Sequence, residues 1–220
     1  MSLIDNIIAY YKYDNNTNDS VASNDATNNG ATYNASGKIN GCYTFDGSND
    51  YMSSPITNNL TGAFSISCWI KSTSSNSQGV LSLRNVGGLD ILIRIEADGF
   101  LYARSGSGGV IDPNTDTVID GAWHHVVYTF DGTTCTLYLD GQVLGTPATG
   151  TGIIVSGFHI GKYVFASSTY MNGEIDEIGV WSVALSSGDV TELYNSGNGN
   201  QYPFSAAAVP DNAIFHSMNF

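Results

Sequence analysis

The chain reads WHHVVYTFDGTTCTLYLDGQVLGT over residues 123–146. Within TCTLYL, residues 134–139, one cysteine and two leucines occupy every second position, which is the period of a half-buried β-strand. The dipeptide Asp140-Gly141 follows, and it favours the positive φ angles of a tight hairpin turn. This stretch therefore predicts neighbouring antiparallel strands that are joined by short turns.

Short apolar runs of the same kind recur along the 220 residues, separated by segments rich in Gly, Asn, Ser and Thr, and only 12% of the residues are charged. They include GCYTFDG, FSISCWIK, GVLSLR, ILIRIEADGFLYAR, FHIGKY and GEIDEIGVW. Ile7 to Tyr13 predicts a further strand, and Asp98-Gly99 a further hairpin. Ser186 before SGDVTELYNSG predicts one short C-terminal helix, because serine is a good N-cap. The pattern predicts an all-β domain with two antiparallel sheets.

Four blocks of the sequence carry a more specific resemblance. They are TFDGSNDYM (44–52), FSISCWIK (64–71), CTLYLDGQVLGT (135–146) and NGEIDEIGVWSVALSSGDVTELYN (172–195). In this order they resemble the concanavalin A-like, laminin-G-like jelly-roll family, over roughly residues 4 to 197. The resemblance implies a two-sheet antiparallel jelly-roll sandwich, with a domain at residues 1–201. It leaves function open, because the family includes lectins, adhesion modules, enzyme-attached carbohydrate-binding domains and virion proteins.

The charge and cysteine content narrow the classes of partner. Twenty acidic and seven basic side chains give a formal net charge of -13. This charge would repel a phosphate backbone, so we do not expect nucleic acid as a partner. No apolar run is long enough for a membrane helix, so no membrane insertion is expected. The three cysteines lack metal-ligand spacing and are predicted to be free, buried thiols.

The two ends of the sequence suggest a setting for the domain. The first residues show no basic stretch followed by an apolar one, so no secretory leader is expected, although the family usually acts outside cells. The tail at residues 202–220 departs from the family pattern and contains several apolar residues. We expect it to dock on the domain itself or on a partner subunit, as part of a homo-oligomer or a larger assembly.

The best enzymatic candidate is GEIDEIG, because jelly-roll glucanases carry three carboxylates on one face of a strand. By strict alternation Glu174 and Asp176 share a face here, Ile178 takes the third position, and Glu177 points the opposite way. His124 and His125 are adjacent on a strand, so they are expected on opposite faces and cannot act as a pair. The sequence therefore predicts a protein that is not an enzyme.

Calcium is the cofactor that the sequence favours. A hard cation prefers oxygen ligands, and Asp14, Asn18 and Asp19 lie in one polar loop. Jelly-roll relatives often bind a structural calcium between this loop and a late strand, and the resemblance adds Asp176 to the candidate ligands. The alternative is a loop whose side chains hydrogen-bond to their own backbone.

Glycan binding normally requires exposed aromatic rings beside polar groups. Tyr102, Tyr163, Phe165 and Tyr170 lie near predicted loop edges and are the candidates for this role. Partial burial at the edge of the sandwich is the alternative for each of them. The three tryptophans fall inside blocks of the family core and are expected to pack in the interior.

These observations favour a non-catalytic binding or structural module displayed on a larger assembly. Its most economical setting is a phage virion surface, as a decoration or tail-associated protein, because a virion leaves the cell by lysis. Capsid or tail proteins, cell-surface glycans, or both would then be the partners. The alternatives are a lectin-like carbohydrate-binding module of a secreted bacterial protein and, third, a glycoside hydrolase.

Overall fold

A computed structural model of the protein describes residues 2–57, 59–85, 87–165 and 169–204. The strands in these residues are β1 Ile7–Tyr11, β2 Thr27–Asn29, β3 Thr32–Asn34, β4 Cys42–Asp46, β5 Tyr51–Ser54, β6 Asn59–Leu60, β7 Phe64–Ser72, β8 Gln78–Arg84, β9 Asp90–Ile95, β10 Leu101–Ser105, β11 Gly108–Ile111, β12 His124–Phe130, β13 Thr134–Leu139, β14 Gln142–Thr149, β15 Ile153–Ile154, β16 Gly157–Ile160 and β17 Asn172–Trp181. One helix, α1 Ser187–Tyr194, follows the last of them, and a short 3-10 turn at Asn195–Gly197 ends it.

The strands form two large antiparallel sheets in the described part of the chain. The eight-stranded sheet has the order β14-β13-β12-β7-β17-β4-β3, with β1 also paired to β17. The seven-stranded sheet has the order β11-β10-β9-β8-β16-β5-β2, and β6 pairs with β15 separately. The sheets pack face to face, so the predicted jelly-roll sandwich with one short C-terminal helix is confirmed.

Alternation along the strands builds the core between the sheets. In β7, Ile66, Cys68 and Ile70 point inward and are fully buried, opposite inward residues of β8 and β9 such as Leu83 and Ile93. Burial of each aliphatic side chain contributes about 1.5–3 kcal/mol. All three cysteines are free and buried, as predicted.

The predicted turns and the helix cap form for local reasons. Asp140 and Gly141 have φ angles of 50° and 80°, as the hairpin between β13 and β14 requires. Ser186 caps α1 in a reciprocal capping box with Asp189. The first strand is shorter than predicted: β1 ends at Tyr11, and Tyr13 has a positive φ angle of 59° as the chain turns away.

The outer face of the eight-stranded sheet is covered by other parts of the chain. A second apolar cluster lies there and joins the sheet residues Tyr10, Val127 and Trp181 to the helix residues Val190 and Leu193. We call this surface the covered face. In the described residues no helix lies over the outer face of the seven-stranded sheet.

The first residues of the predicted tail belong to this covered face. Phe204 is 6% exposed, stacks on Trp181 at 6.2 Å between ring centroids and meets Tyr10 edge-on at 5.4 Å. The ordered domain therefore extends past residue 201 to at least Phe204. The docking predicted for the rest of the tail concerns residues 205–220, which lie outside the described residues.

Candidate functional site

The outer face of the seven-stranded sheet carries polar, aromatic and basic side chains. Residues that pair across antiparallel strands point to the same face, and Arg84 pairs with Asp90, Arg94 with Tyr102, and His159 with Ser82. We call this surface the open face. It includes Tyr51, Ser53, Ser82, Arg84, Asp90, Arg94, Tyr102, Arg104 and His159, together with loop residues 161–165 and 169–171.

Positive charge is concentrated on the open face. Only seven of the 220 residues are Lys or Arg. All three arginines of the chain, Arg84, Arg94 and Arg104, lie on it, and Lys162 lies over it with its ammonium group 4.4 Å from the ring centre of Tyr51. Four of the seven basic side chains therefore share one surface of a strongly acidic protein.

The loop residues 161–165 and 169–171 lie over the middle of this face. A Cβ atom on Gly79 would lie 2.2 Å from the backbone nitrogen of Tyr163, so the close approach of the loop requires glycine there. The backbone N–H of Val164 donates to the Ser82 hydroxyl at 3.3 Å. The loop thus divides the open face into a region around Tyr102 and a region around Tyr51.

An ion pair with one buried partner fixes the region around Tyr102. The guanidinium of Arg104 donates to both oxygens of Asp90 at 2.7 and 2.8 Å, and it also donates to the Tyr163 hydroxyl at 2.8 Å. Asp90 is 1% exposed, and its hydrogen bonds raise the pKa of Arg104. Arg94 lies over the ring of Tyr102, 4.3 Å from the ring centre. These contacts orient two tyrosine rings beside cations.

All four aromatic residues predicted for glycan binding lie on or over the open face. Tyr163 contacts Phe165 edge-on at 6.2 Å, and Phe165 is 45% exposed. Tyr170 lies 5.3 Å from the ammonium group of Lys162, whereas Tyr102 is in the neighbouring region. Tyr51 and the basic residues were not predicted from the sequence. Strand pairing places Arg94 and Arg104 on the same face as Tyr102, so their position follows once the pairing is known.

The predicted metal ligands are engaged in hydrogen bonds with the protein. The carboxylate of Asp19 accepts from the backbone N–H groups of Tyr10 and Val21, each at 3.0 Å, and from the backbone and the side chain of Asn24. This is the alternative raised from the sequence, a loop held by its own backbone.

The other three predicted ligands lie in separate environments. Asp176 accepts from the N–H groups of residues 38–39, Asp14 from that of Gly41, and Asn18 is exposed. Among the described residues there is no group of three or more His, Cys, Asp or Glu side chains arranged to hold a metal ion. Calcium binding at these positions stays a prediction.

The carboxylates of β17 correct the prediction from strict alternation. A β-bulge interrupts the pairing with β7 between Asp176 and Gly179, and Glu177 has a φ angle of 50°. Glu177 therefore lies on the same outer face as Asp176, where the Tyr10 hydroxyl donates to it at 2.5 Å. The prediction that Glu177 points the opposite way was wrong, because the inserted residue shifts the alternation by one.

Both of these carboxyl groups are enclosed under the covered face. Asp176 is 0% and Glu177 2% exposed, and the side-chain amide of Gln201 donates to Glu177 from the segment above. Burial raises the pKa of Glu177 to about 8, and burial together with the nearby Glu177 raises the pKa of Asp176 well above its usual value. The pair is packed inside the protein and does not line an open cleft.

The adjacent histidines point apart, as predicted. His125 bonds to Ser67 at 2.8 Å beneath α1, whereas His124 lies between Asp140 and Asp120 at 2.8 and 3.1 Å. The hydrogen bond to Asp140, and then that to Asp120, raise the pKa of His124. A cleft of about 470 Å³ lies beside His124, and its described lining contains no aromatic side chain other than this imidazole.

Two of the three tryptophans are buried, as the sequence predicted. Trp69 and Trp181 are buried on the covered face, at 2% and 0% exposure. Trp123 is only partly buried, and the ammonium group of Lys71 lies 5.8 Å from its ring centre. The prediction for Trp123 was therefore wrong, because this residue precedes β12 and its side chain is partly exposed to solvent.

Two of the solved structures similar to this one are named as domains. One is domain 4 of AbnA, a GH43 extracellular arabinanase from Geobacillus stearothermophilus in complex with arabinotriose, with a TM-score of 0.68, 20% identity, and coverage of 84% of this chain and 97% of that one. Another is the binding domain of Paraclostridial Mosquitocidal Protein 1, with a TM-score of 0.69, 16% identity, and coverage of 89% and 53%.

A third similar structure is Trypanosoma rangeli sialidase in complex with sialic acid, with a TM-score of 0.71 and 15% identity. The match covers 88% of this chain and 33% of the sialidase, so the chain spans about a third of that protein. At these identities the likeness shows the fold alone. No curated protein sequence is significantly similar to the chain.

No helix in the described part of the chain has the length and apolar character needed to cross a membrane.

The sequence of residues 46–191 matches the family described as the concanavalin A-like lectin/glucanases superfamily. The match covers more than half of the chain and agrees with the two-sheet sandwich described above. This chain therefore belongs to the concanavalin A-like lectin/glucanase superfamily.

Proposed function

We propose that this protein is a non-catalytic carbohydrate-binding module whose ligand lies on the open face. One observation carries the proposal: in the described structure no helix lies over this face, and it carries five aromatic side chains next to four cations. They are Tyr51, Tyr102, Tyr163, Phe165 and Tyr170. Aromatic rings beside oriented polar groups are what sugar rings require, because the ring faces pack on apolar C–H groups while the polar groups bond hydroxyls.

The position of the β17 acids supports a non-catalytic role. A retaining glycosidase needs two carboxyl groups about 5 Å apart that both reach the scissile bond. Asp176 and Glu177 are buried on the covered face, and Glu174 is paired with Lys71 at 3.0 Å. A substrate on the open face would be separated from all three by the thickness of the sandwich.

Affinity electrophoresis and calorimetry test the proposal. Arabino-oligosaccharides are a suitable first ligand, because the similar arabinanase domain was solved with arabinotriose; a broad glycan array follows. We expect Tyr102→Ala to lower the affinity for the retained glycan by about tenfold. The variant loses one aromatic contact with the sugar and the ring over which Arg94 lies.

The matched control is Tyr33→Ala. Tyr33 is a 37% exposed tyrosine on β3, in the other sheet, so its removal should leave the affinity within about twofold. Equal losses in the two variants, or retention of no glycan at all, would contradict carbohydrate binding on the open face. Release of reducing sugar from a bound polysaccharide would contradict the non-catalytic role.

Display on a larger assembly, such as a phage virion, is a second proposal with separate support. The segment before residue 205 is anchored on the covered face by Phe204, and the following sequence is apolar at several positions. A chain that ends at Phe204 keeps this anchor and is the correct truncation. Light scattering after size-exclusion chromatography should show an oligomer only for the full chain; a monomer in both forms would oppose self-assembly through the tail.

A further inference from the structure

Two basic side chains, Arg84 and Lys162, lie near His159 on the open face. The ring of His159 lies 6.0 Å from that of Tyr51, and the ammonium group of Lys162 lies 4.4 Å from the same ring centre. A Cβ atom on Gly157 would lie 3.6 Å from Cε1 of His159 and 3.9 Å from Nε of Arg84. We call Arg84, His159 and Lys162 the cationic corner.

The cationic corner differs from the rest of the open face in its pairing. Arg94 and Arg104 are each bonded to a carboxylate, Glu96 and Asp90. Among the residues that the structure describes, Arg84 and Lys162 form no ion pair, although the chain contains 20 acidic residues. The Arg84 side chain is exposed, so its guanidinium is accessible to a ligand.

His159 completes the corner without a partner of its own. Its side chain makes no hydrogen bond among the described residues, and its Nδ1 atom is buried and unbonded. Burial, followed by the charges of Lys162 and Arg84, lowers the pKa of the imidazole. Arg84 and Lys162 therefore carry two positive charges near a neutral imidazole, with no carboxylate of the described residues paired to either of them, and an anion placed there would be attracted to both.

We infer that the cationic corner binds the anionic group, a carboxylate or a sulfate, of an acidic glycan. The inference rests on the proposed function and names the class of its ligand. Arg84 has the planar donor fork that matches a carboxylate or a sulfate, and Lys162 supplies a point charge beside Tyr51. The sugar rings that follow the anionic one would extend along the aromatic side chains of the open face.

A glycan array with matched pairs tests the ligand class. Each pair has a neutral and an anionic member: a galacturonic acid oligomer and its methyl ester for the carboxylate, and lactose with and without a 3′-sulfate for the sulfate. We expect the anionic member of at least one pair to be retained more strongly. Equal retention within both pairs, or retention of neutral glycans only, would overturn this inference and leave carbohydrate binding intact. Retention of no glycan would overturn both.

Calorimetry on the retained pair then tests the residues. Arg84→Gln should lower the affinity for the anionic member by about tenfold, the size expected for one charge-assisted hydrogen bond, and change the neutral member less than about twofold. Lys12→Gln is the matched control: it makes the same change in net charge, and it follows β1 in the other sheet. An equal loss in both variants would show that the preference for the anionic member comes from the overall charge of the protein. That result would overturn the site.

Discussion

The outer faces of the two sheets belong to one sandwich but differ in what the chain places on them. The covered face is packed with Trp181, Phe204 and the helix, and its buried carboxyl groups are enclosed with it. The open face carries the three arginines, and in the described structure loop residues 161–165 and 169–171 lie over it. Packing on the covered face therefore stabilises the sandwich, whereas polar and aromatic side chains of the open face stay partly exposed.

The largest contrast concerns stability. Trp181 is 0% exposed and its indole N–H donates to the Leu3 carbonyl at 2.8 Å, so Trp181→Ala should lower the free energy of unfolding by about 3–5 kcal/mol. Tyr102→Ala on the open face should cost less than about 1.5 kcal/mol, because its ring is partly solvated. Urea denaturation measures both, and similar losses would abolish the distinction between the faces.

The second contrast tests whether the open face also contains a structural element. Asp90→Asn leaves the Arg104 guanidinium without its charged partner, and we expect a loss of about 2 kcal/mol, since one partner is buried and the other is 31% exposed. Glu96→Gln, at the more exposed pair with Arg94, is the control and should cost less than about 1 kcal/mol. If urea denaturation gave the larger loss for Glu96→Gln, the pair of Asp90 and Arg104 would not be the contact that fixes the open face.

The third prediction concerns the carboxyl pair under the covered face. Because the folded-state pKa of Glu177 is raised from 4.5 to about 8, the unfolded chain ionises first as the pH rises between these values. The stability that this group contributes is present below about pH 4.5 and is lost as the pH approaches 8. Glu177→Gln removes this proton linkage, so between pH 5 and pH 8 the variant should lose less stability than the parent, by a few kcal/mol.

Denaturation curves at pH 5 and pH 8 measure this effect. The control is Glu192→Gln, which removes a partly exposed carboxylate of α1 and should leave the difference between the two pH values as it is in the parent. If the stability of the parent and that of the Glu177→Gln variant changed by the same amount from pH 5 to pH 8, Glu177 would not be the source of the pH dependence.

The smallest effect is expected at the tip of the crossing loop. Phe165 is 45% exposed, so Phe165→Ser should change the free energy of unfolding by less than about 0.5 kcal/mol and leave the melting temperature within about 3 °C. If Phe165 contacts sugar, calorimetry on the same variant should show a severalfold lower affinity. A clear loss of stability instead would assign the ring to packing.

Much of the fold could be predicted from local patterns. Asp140-Gly141 and Ser186 encode a turn and a helix cap through their own backbone preferences, and the structure confirms both. The bulge at Glu177 was not predicted, although two acidic residues between Ile175 and Ile178 break the alternation of GEIDEIGVW. Which residue is the extra one is decided by pairing with two neighbouring strands. Register, which depends on partners far away in the sequence, decides which side such a residue takes.

The candidate site divides in the same way. Tyr102, Tyr163, Phe165 and Tyr170 could be selected from the sequence, because aromatic residues at loop edges are visible there. Arg84, Arg94 and Arg104 lie on three successive strands, and their convergence follows from the pairing of β8 with β9 and of β9 with β10. Lys162 reaches the same surface only because the loop folds over Gly79.

The amino-acid sequence by itself determined the class of fold, the acidic charge, the free cysteines and the capped helix, because alternation, composition and backbone preference act over a few residues. The tertiary structure alone decided which outer face is covered, where the basic side chains meet and that Asp176 and Glu177 are enclosed together. These properties depend on strand register and on contacts between distant segments, such as Phe204 on Trp181, and no local pattern specifies them.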